Sequence, residues 1–106
     1  RVFQNVIKNA LVHGQKSICI QMKQKNKMVH ILVSNDVKNP DDIDVDKVFE
    51  RFYKADEARS ISSSGLGLSI AKELVERMGG SIEARLEGAR FVVEILFECE
   101  QLFLDL

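Results

Sequence analysis

A chain of 106 residues with 45% hydrophobic and 29% charged residues has the size and composition of one compact domain. Its formal net charge is -1, with lysines and arginines scattered among acids, which excludes a polyanion-binding surface built on bulk charge, so no nucleic-acid partner is expected. No apolar run approaches the roughly eighteen residues needed to span a bilayer, and no segment resembles a signal peptide.

From Arg1 to Gly14 the apolar residues Val2, Phe3, Val6, Ile7, Ala10 and Leu11 recur at three- and four-residue steps, which predicts a half-buried helix ending at Gly14. The pattern is already under way at Arg1, as expected of a piece of a longer chain. Asn5, Asn9 and His13 form a separate row at four-residue spacing, stacked along one line where they can face a ligand. Ser17–Lys23 and Met28–Asn35 are strand-like and joined by a hairpin connection over 24–27. Loop composition follows, with the single proline, Pro40, and then a short helical piece over Asp46–Tyr53. Lys54–Ser64 has little periodicity and ends in three serines. A helix is predicted over Leu66–Met78, with Ile70, Ala71, Leu74, Val75 and Met78 on one stripe and Gly79 and Gly80 as its stop. Ser81–Leu86 and Ala89–Phe97 alternate as strands around a turn at Glu87 and Gly88. The order helix, hairpin, loops, helix, hairpin predicts an α+β fold, a two-layer sandwich with helices on one face of a mixed sheet. Residues 1–97 make the domain, and 98–106 a C-terminal tail. Cys19 and Cys99 match no metal spacing and are expected as reduced thiols.

Ser64, Gly65, Leu66, Gly67 and Leu68 stand where a serine-rich stretch meets a helix start. Unsatisfied N–H groups and the helix dipole favour anions there, and glycine lets backbone approach a phosphate. Asn9 has the oxygen-donor chemistry that Mg2+ prefers. Asp42, Asp44 and Asp46 alternate like a calcium loop, but Lys47 and Tyr53 replace the glycine and glutamate such a loop needs, so no calcium site is expected. The acidic stretch is a solvated loop, with Asp46 the expected N-cap of the short helix.

Three segments taken together carry a resemblance: RVFQNVIKNALVHG, VFERFYKAD, and SSSGLGLSIAKELVERMGGSIEARLEGARFVVEILF. They resemble the N box, F box and second glycine box of histidine kinase catalytic domains, in the family's order and covering nearly the whole chain. The resemblance implies the layered nucleotide-binding (GHKL, or Bergerat) fold shared with gyrase-type ATPases. It also implies ATP and Mg2+ as ligands. Carried over, Asn9 matches the Mg2+-binding asparagine and Asn5 the asparagine one turn earlier. Gly65 and Gly67, flanked by Ser64, Leu66 and Leu68, match the phosphate loop, and Phe49, Phe52 and Tyr53 the aromatics flanking the lid that the resemblance implies for the serine-rich segment. His13 completes the nucleotide-facing row. Neither His13 nor His30 sits in a phosphoacceptor motif, so the resemblance implies an acceptor histidine on a separate dimerisation domain. It further implies a response regulator as recipient and a cytoplasmic domain of a membrane-bound homodimer.

Two departures stand out. Asn35 falls where the family has its adenine-binding aspartate, and no glycine lies between Val37 and Pro40. Val12 takes a position where the family commonly has lysine. An asparagine oxygen can accept from the adenine amine, without the charge assistance of a carboxylate, and weaker nucleotide binding is the expectation.

Overall fold

The computed structural model describes residues 2–13, 17–53 and 67–98. Helix α1 spans Val2–His13, strands β1 and β2 span Ile18–Lys25 and Met28–Asp36, helix α2 spans Gly67–Arg77, and strands β3 and β4 span Ser81–Glu87 and Arg90–Glu98. The strand order is β1-β2-β4-β3. The two-layer sandwich is the expected one, but its four described strands are antiparallel throughout rather than mixed. The reason is local: each outer strand is one arm of a tight hairpin, and the two hairpins meet along β2 and β4.

Period-two alternation explains the core. Val29, Ile31 and Val33 of β2 and Phe91, Val93, Ile95 and Phe97 of β4 point to the helix side. They meet Val2, Val6 and Ala10 of α1 and Leu68, Ala71 and Val75 of α2, the stripes that the helical spacing places together. The principal helix–sheet packing is α1 on β2 and α2 on β3.

Turns occur where backbone chemistry permits them. Asn26 carries φ 58° between β1 and β2, a conformation asparagine tolerates better than most residues. Gly88 carries φ 61° between β3 and β4, so that turn is Gly88–Ala89, one residue later than the sequence suggested. After α2, the Gly80 N–H bonds to the Val75 carbonyl at 2.9 Å and the Gly79 N–H to that of Glu76 at 3.1 Å. With φ 80° at Gly79, this is a Schellman stop.

The expected helix over 46–53 is instead a run of turns. The Lys47, Glu50 and Tyr53 N–H groups donate to the carbonyls of Asp44, Lys47 and Glu50, three residues back. Nor does Asp46 cap it. Its N–H donates to Asp44 Oδ1 at 3.0 Å, so Asp44 closes the turn, since a side chain reaching two residues on competes well with a helical start. Pro40–Asp42 forms a single 3-10 turn. No helix among the described residues is long and apolar enough to cross a membrane. Cys19 is exposed and unbridged, while Cys99 and the tail from residue 99 onward lie outside the described residues.

Candidate functional site

The asparagine row lies at the margin of the α1 stripe. Val2, Val6 and Ala10 are buried, whereas Asn5 and Asn9 are half-buried, so their carboxamides border both core and solvent. No described residue hydrogen-bonds or ion-pairs with the Asn9 side chain. A carboxamide oxygen is a donor type that Mg2+ accepts, since that ion shares its coordination with phosphates and water rather than needing a protein cage. No cluster of three or more His, Cys, Asp or Glu among the described residues could hold a metal unaided.

The start of α2 lies against the backbone of α1 at Asn5. A β-carbon built on Gly67 would lie 3.8 Å from the Asn5 carbonyl oxygen, so the first turn of α2 stands against the second turn of α1. That first turn carries no acidic side chain, which leaves its N-terminal amides and positive dipole end without a competing carboxylate from the helix itself. Leu68 is buried and anchors the turn, making it a core residue as well as a neighbour of the site. Ser64, Gly65 and Leu66 lie outside the described residues, as does the His13 side chain.

Asn35 is the buried polar residue of the described core, 2% exposed. Its Nδ2 donates to the Asp36 carbonyl at 3.1 Å, and Oδ1 has no described partner, although a buried polar atom is ordinarily paired. The strand end that holds it is braced: Asp36 Oδ1 accepts the Ser17 N–H at 2.8 Å, and the Val37 N–H donates to the Ala89 carbonyl at 2.8 Å. Without glycines, the loop beyond closes through bonds from the Asp42 and Ile43 N–H groups to the Asn39 and Pro40 carbonyls.

The aromatics separate into two roles. Phe49 and Tyr53 are half-buried against the core, and the Tyr53 hydroxyl accepts the Asp44 N–H at 2.8 Å. Phe52 is 70% exposed with φ 66°, an uncommon conformation for a bulky residue. Lys72 of α2 sits 5.4 Å from the centre of the Phe49 ring. The Asn5–Gly67 approach, the Lys72–Phe49 contact and the Asp44 turn were missed in the sequence. Only the last had a signal, the Asp-x-Asp spacing. His30 lies on the opposite face of the sheet, its Nδ1 3.0 Å from Glu94 Oε2, and Arg85 spans Glu87 and Glu94 there. The hydrogen bond from His30, and then that from Arg85, hold the Glu94 carboxyl below its usual range.

Residues 1–98 match the model of the histidine kinase-, DNA gyrase B- and HSP90-like ATPase family. The sensor protein kinase WalK of Staphylococcus haemolyticus is 39% identical over 108 residues, covering 94% of this chain and 18% of WalK. WalK of Bacillus subtilis is 38% identical over 90 residues, covering 79% of this chain and 15% of that protein. Among solved structures, the mycobacterial sensor histidine kinase MprB superposes with a TM-score of 0.75 at 23% identity, over 92% of this chain and 69% of that one. Full-length ShkA in complex with AMPPNP gives 0.71 at 22%, over 90% and 20%. The structural likenesses show the fold. The chain belongs to the histidine kinase-, DNA gyrase B- and HSP90-like ATPase family and corresponds to the ATP-binding catalytic domain of sensor histidine kinases. It spans about a fifth of the length of the WalK proteins it matches.

Proposed function

We propose that this chain binds ATP beside the α1 asparagine row and the start of α2, and delivers the γ-phosphoryl group to a histidine on a separate dimerisation domain. The observation that supports this reading is the approach of Gly67 to the Asn5 backbone carbonyl, which brings a glycine-led helix N-terminus to the helix that carries the asparagine row. In the transfer, an acceptor imidazole nitrogen bonds to the γ-phosphorus as the bond to the bridging oxygen of ADP breaks. Such a step is served mainly by positioning and charge stabilisation. The amides at the start of α2, with Gly65 and Gly67, hold the phosphates. Asn9 holds Mg2+, which when bound neutralises charge on the phosphate oxygens. Asn5, one turn earlier, is a carboxamide and cannot act as the carboxylate base that would activate water, which favours phosphotransfer over hydrolysis. Asn35 accepts from the adenine amine, and Phe52, Tyr53, Ser64, Leu66, Leu68 and His13 border the nucleotide. The acceptor domain belongs to the same kinase, a homodimer at the cell membrane with this domain in the cytoplasm, and a response regulator receiver domain takes the phosphoryl group onward.

A second reading, a nucleotide-sensing or docking module without kinase activity, is favoured by one observation: a neutral, buried Asn35 before a loop closed by Pro40 rather than by glycines. Calorimetric titration with a nonhydrolysable ATP analogue, with and without Mg2+ and beside Asn9→Ala, separates the two. Metal-dependent binding that Asn9→Ala abolishes supports the kinase. A folded chain that binds no nucleotide supports the docking module.

A further inference from the structure

Asn35 lies on the helix side of the sheet, while its chain neighbours Ser34 and Asp36 lie on the outer face, as alternation along β2 requires. The direction of its carboxamide depends on the Asp36 peptide, because Nδ2 donates to the Asp36 carbonyl at 3.1 Å and thereby sets where Oδ1 faces. The strand is about to end there. Ile18–Asn35 is the last pair of β2 with β1 on the loop side, and Asp36–Arg90 the last with β4. A peptide at a strand end keeps its direction only where further bonds pin it.

Those bonds come from the outer face and converge on Arg90. Its Nη1 donates to Ser17 Oγ at 2.7 Å, and its Nη2 to Ser34 Oγ at 3.2 Å and to the Ser34 carbonyl at 3.3 Å. Ser17 in turn donates its N–H to Asp36 Oδ1 at 2.8 Å and accepts the Asp36 N–H at 3.3 Å. Residues 34 and 36 are thus tied to one guanidinium, the first directly and the second through Ser17, with Asn35 between them. Arg90 forms no ion pair among the described residues, whereas Arg85 on the same face is engaged by Glu87 and Glu94. Its rigid fork is left to these neutral acceptors, which the single nitrogen of a lysine could not span together.

We propose that Arg90 is a positioning residue for the nucleotide base: from the far face of the sheet it holds the Ser34–Asp36 backbone so that Asn35 Oδ1 meets the adenine amine. This rests on the reading of Asn35 as the acceptor of that amine. Asn35 is 2% exposed and Phe91, its neighbour on β4, 5%. In so dry a setting an amine that misses its acceptor is costly. The phosphates, held at α1 and the start of α2, do not depend on the brace.

The test titrates the 106-residue chain calorimetrically, with Mg2+, against the imido analogues of ATP and of purine riboside triphosphate, which lacks only the 6-amino group. A buried hydrogen bond to that group makes the ATP analogue bind roughly tenfold tighter than the other. Arg90→Met, which keeps an apolar stem of similar length, is expected to lower this ratio at least about threefold while leaving affinity for the amine-free analogue within about twofold of the unsubstituted chain. Ser17→Ala, with Arg90 in place, lowers the ratio in the same direction and carries the test if Arg90→Met does not fold. In an Asn35→Ala background, Arg90→Met leaves the ratio unchanged, because nothing remains for it to position. Folded variants that keep the ratio, or that lose both affinities together, overturn the proposal and leave Arg90 a stabilising role alone. An unsubstituted chain that binds the two analogues alike removes Asn35 from the base, and the proposal falls with it. One that binds neither overturns the ATP reading itself.

Discussion

Lys72 on α2 holds its ammonium 5.4 Å from the centre of the Phe49 ring, tying the turn-rich segment after β2 to the helix that begins at the candidate phosphate site. A cation over an aromatic face at a partly exposed site contributes about 0.5–1 kcal/mol. Lys72→Met is expected to lower stability by that amount in urea denaturation. Phe49→Ala, which also vacates half-buried apolar surface, costs about 2 kcal/mol or more. The double variant loses less than the sum, and the shortfall measures the contact.

Gly67 and Gly80 respond oppositely to alanine. At Gly67 the added carbon meets the Asn5 carbonyl oxygen at 3.8 Å, an ordinary contact. Gly67→Ala therefore keeps or raises stability, by up to about 1 kcal/mol, while weakening nucleotide binding by filling space in the proposed phosphate site. At Gly80 the carbon would lie 2.6 Å from the Leu96 carbonyl oxygen and from the Phe97 ring, and Gly80→Ala costs about 2 kcal/mol. Thermal unfolding read beside calorimetry distinguishes the two, and a Gly67→Ala chain that binds normally would remove Gly67 from the site.

Asn35→Asp gains affinity and loses stability. A charged acceptor makes a stronger hydrogen bond than a neutral one by about 1 kcal/mol, which is roughly fivefold tighter binding of an adenine nucleotide. With no nucleotide present, a carboxylate at a position only 2% exposed lacks compensation, and the free chain is expected to unfold at lower denaturant concentration. Tighter binding without a stability loss would contradict the burial argument.

Acid sensitivity is expected from the outer face of the sheet. The hydrogen bonds from His30 and Arg85 depress the Glu94 pKa in the folded chain. Its contribution to stability is therefore complete above the unfolded value, about 4.3, and is lost as pH falls through the lower folded value. Glu94→Gln should lower stability at neutral pH and flatten its decline below about pH 4, measured by urea midpoints across the range.

Periodicity made α1, α2 and the four described strands legible within a residue or two, because the helices, β2 and β4 each bury one face and the outer strands keep a regular apolar–polar repeat. The 46–53 segment misled for a physical reason: Val48, Phe49 and Tyr53 have helical spacing, but the Asp44 side chain and three-residue turns satisfy the backbone first. The exposure of Ile20 and Met22 was not legible, since alternation identifies an apolar face without saying whether a helix covers it. At the site, Asn9 was singled out by residue type and spacing, and Asn35 by the place it takes in the family resemblance. The approach of Gly67 to Asn5 depends on how two helices pack, and nothing local encodes it.

The strand order has a kinetic consequence. Each hairpin joins near neighbours in the chain, but the seam between β2 and β4 joins residues as far apart as Met28 and Glu98. Both hairpins can form in microseconds, whereas the seam must close a long loop, and non-local pairing of this kind is slow. That loop contains Asn35, the F-box aromatics and the whole of α2. Half of the proposed nucleotide site is thus threaded through the last pairing to form, and a ligand that bridges α1 and α2 has nothing to grip until the two hairpins have met.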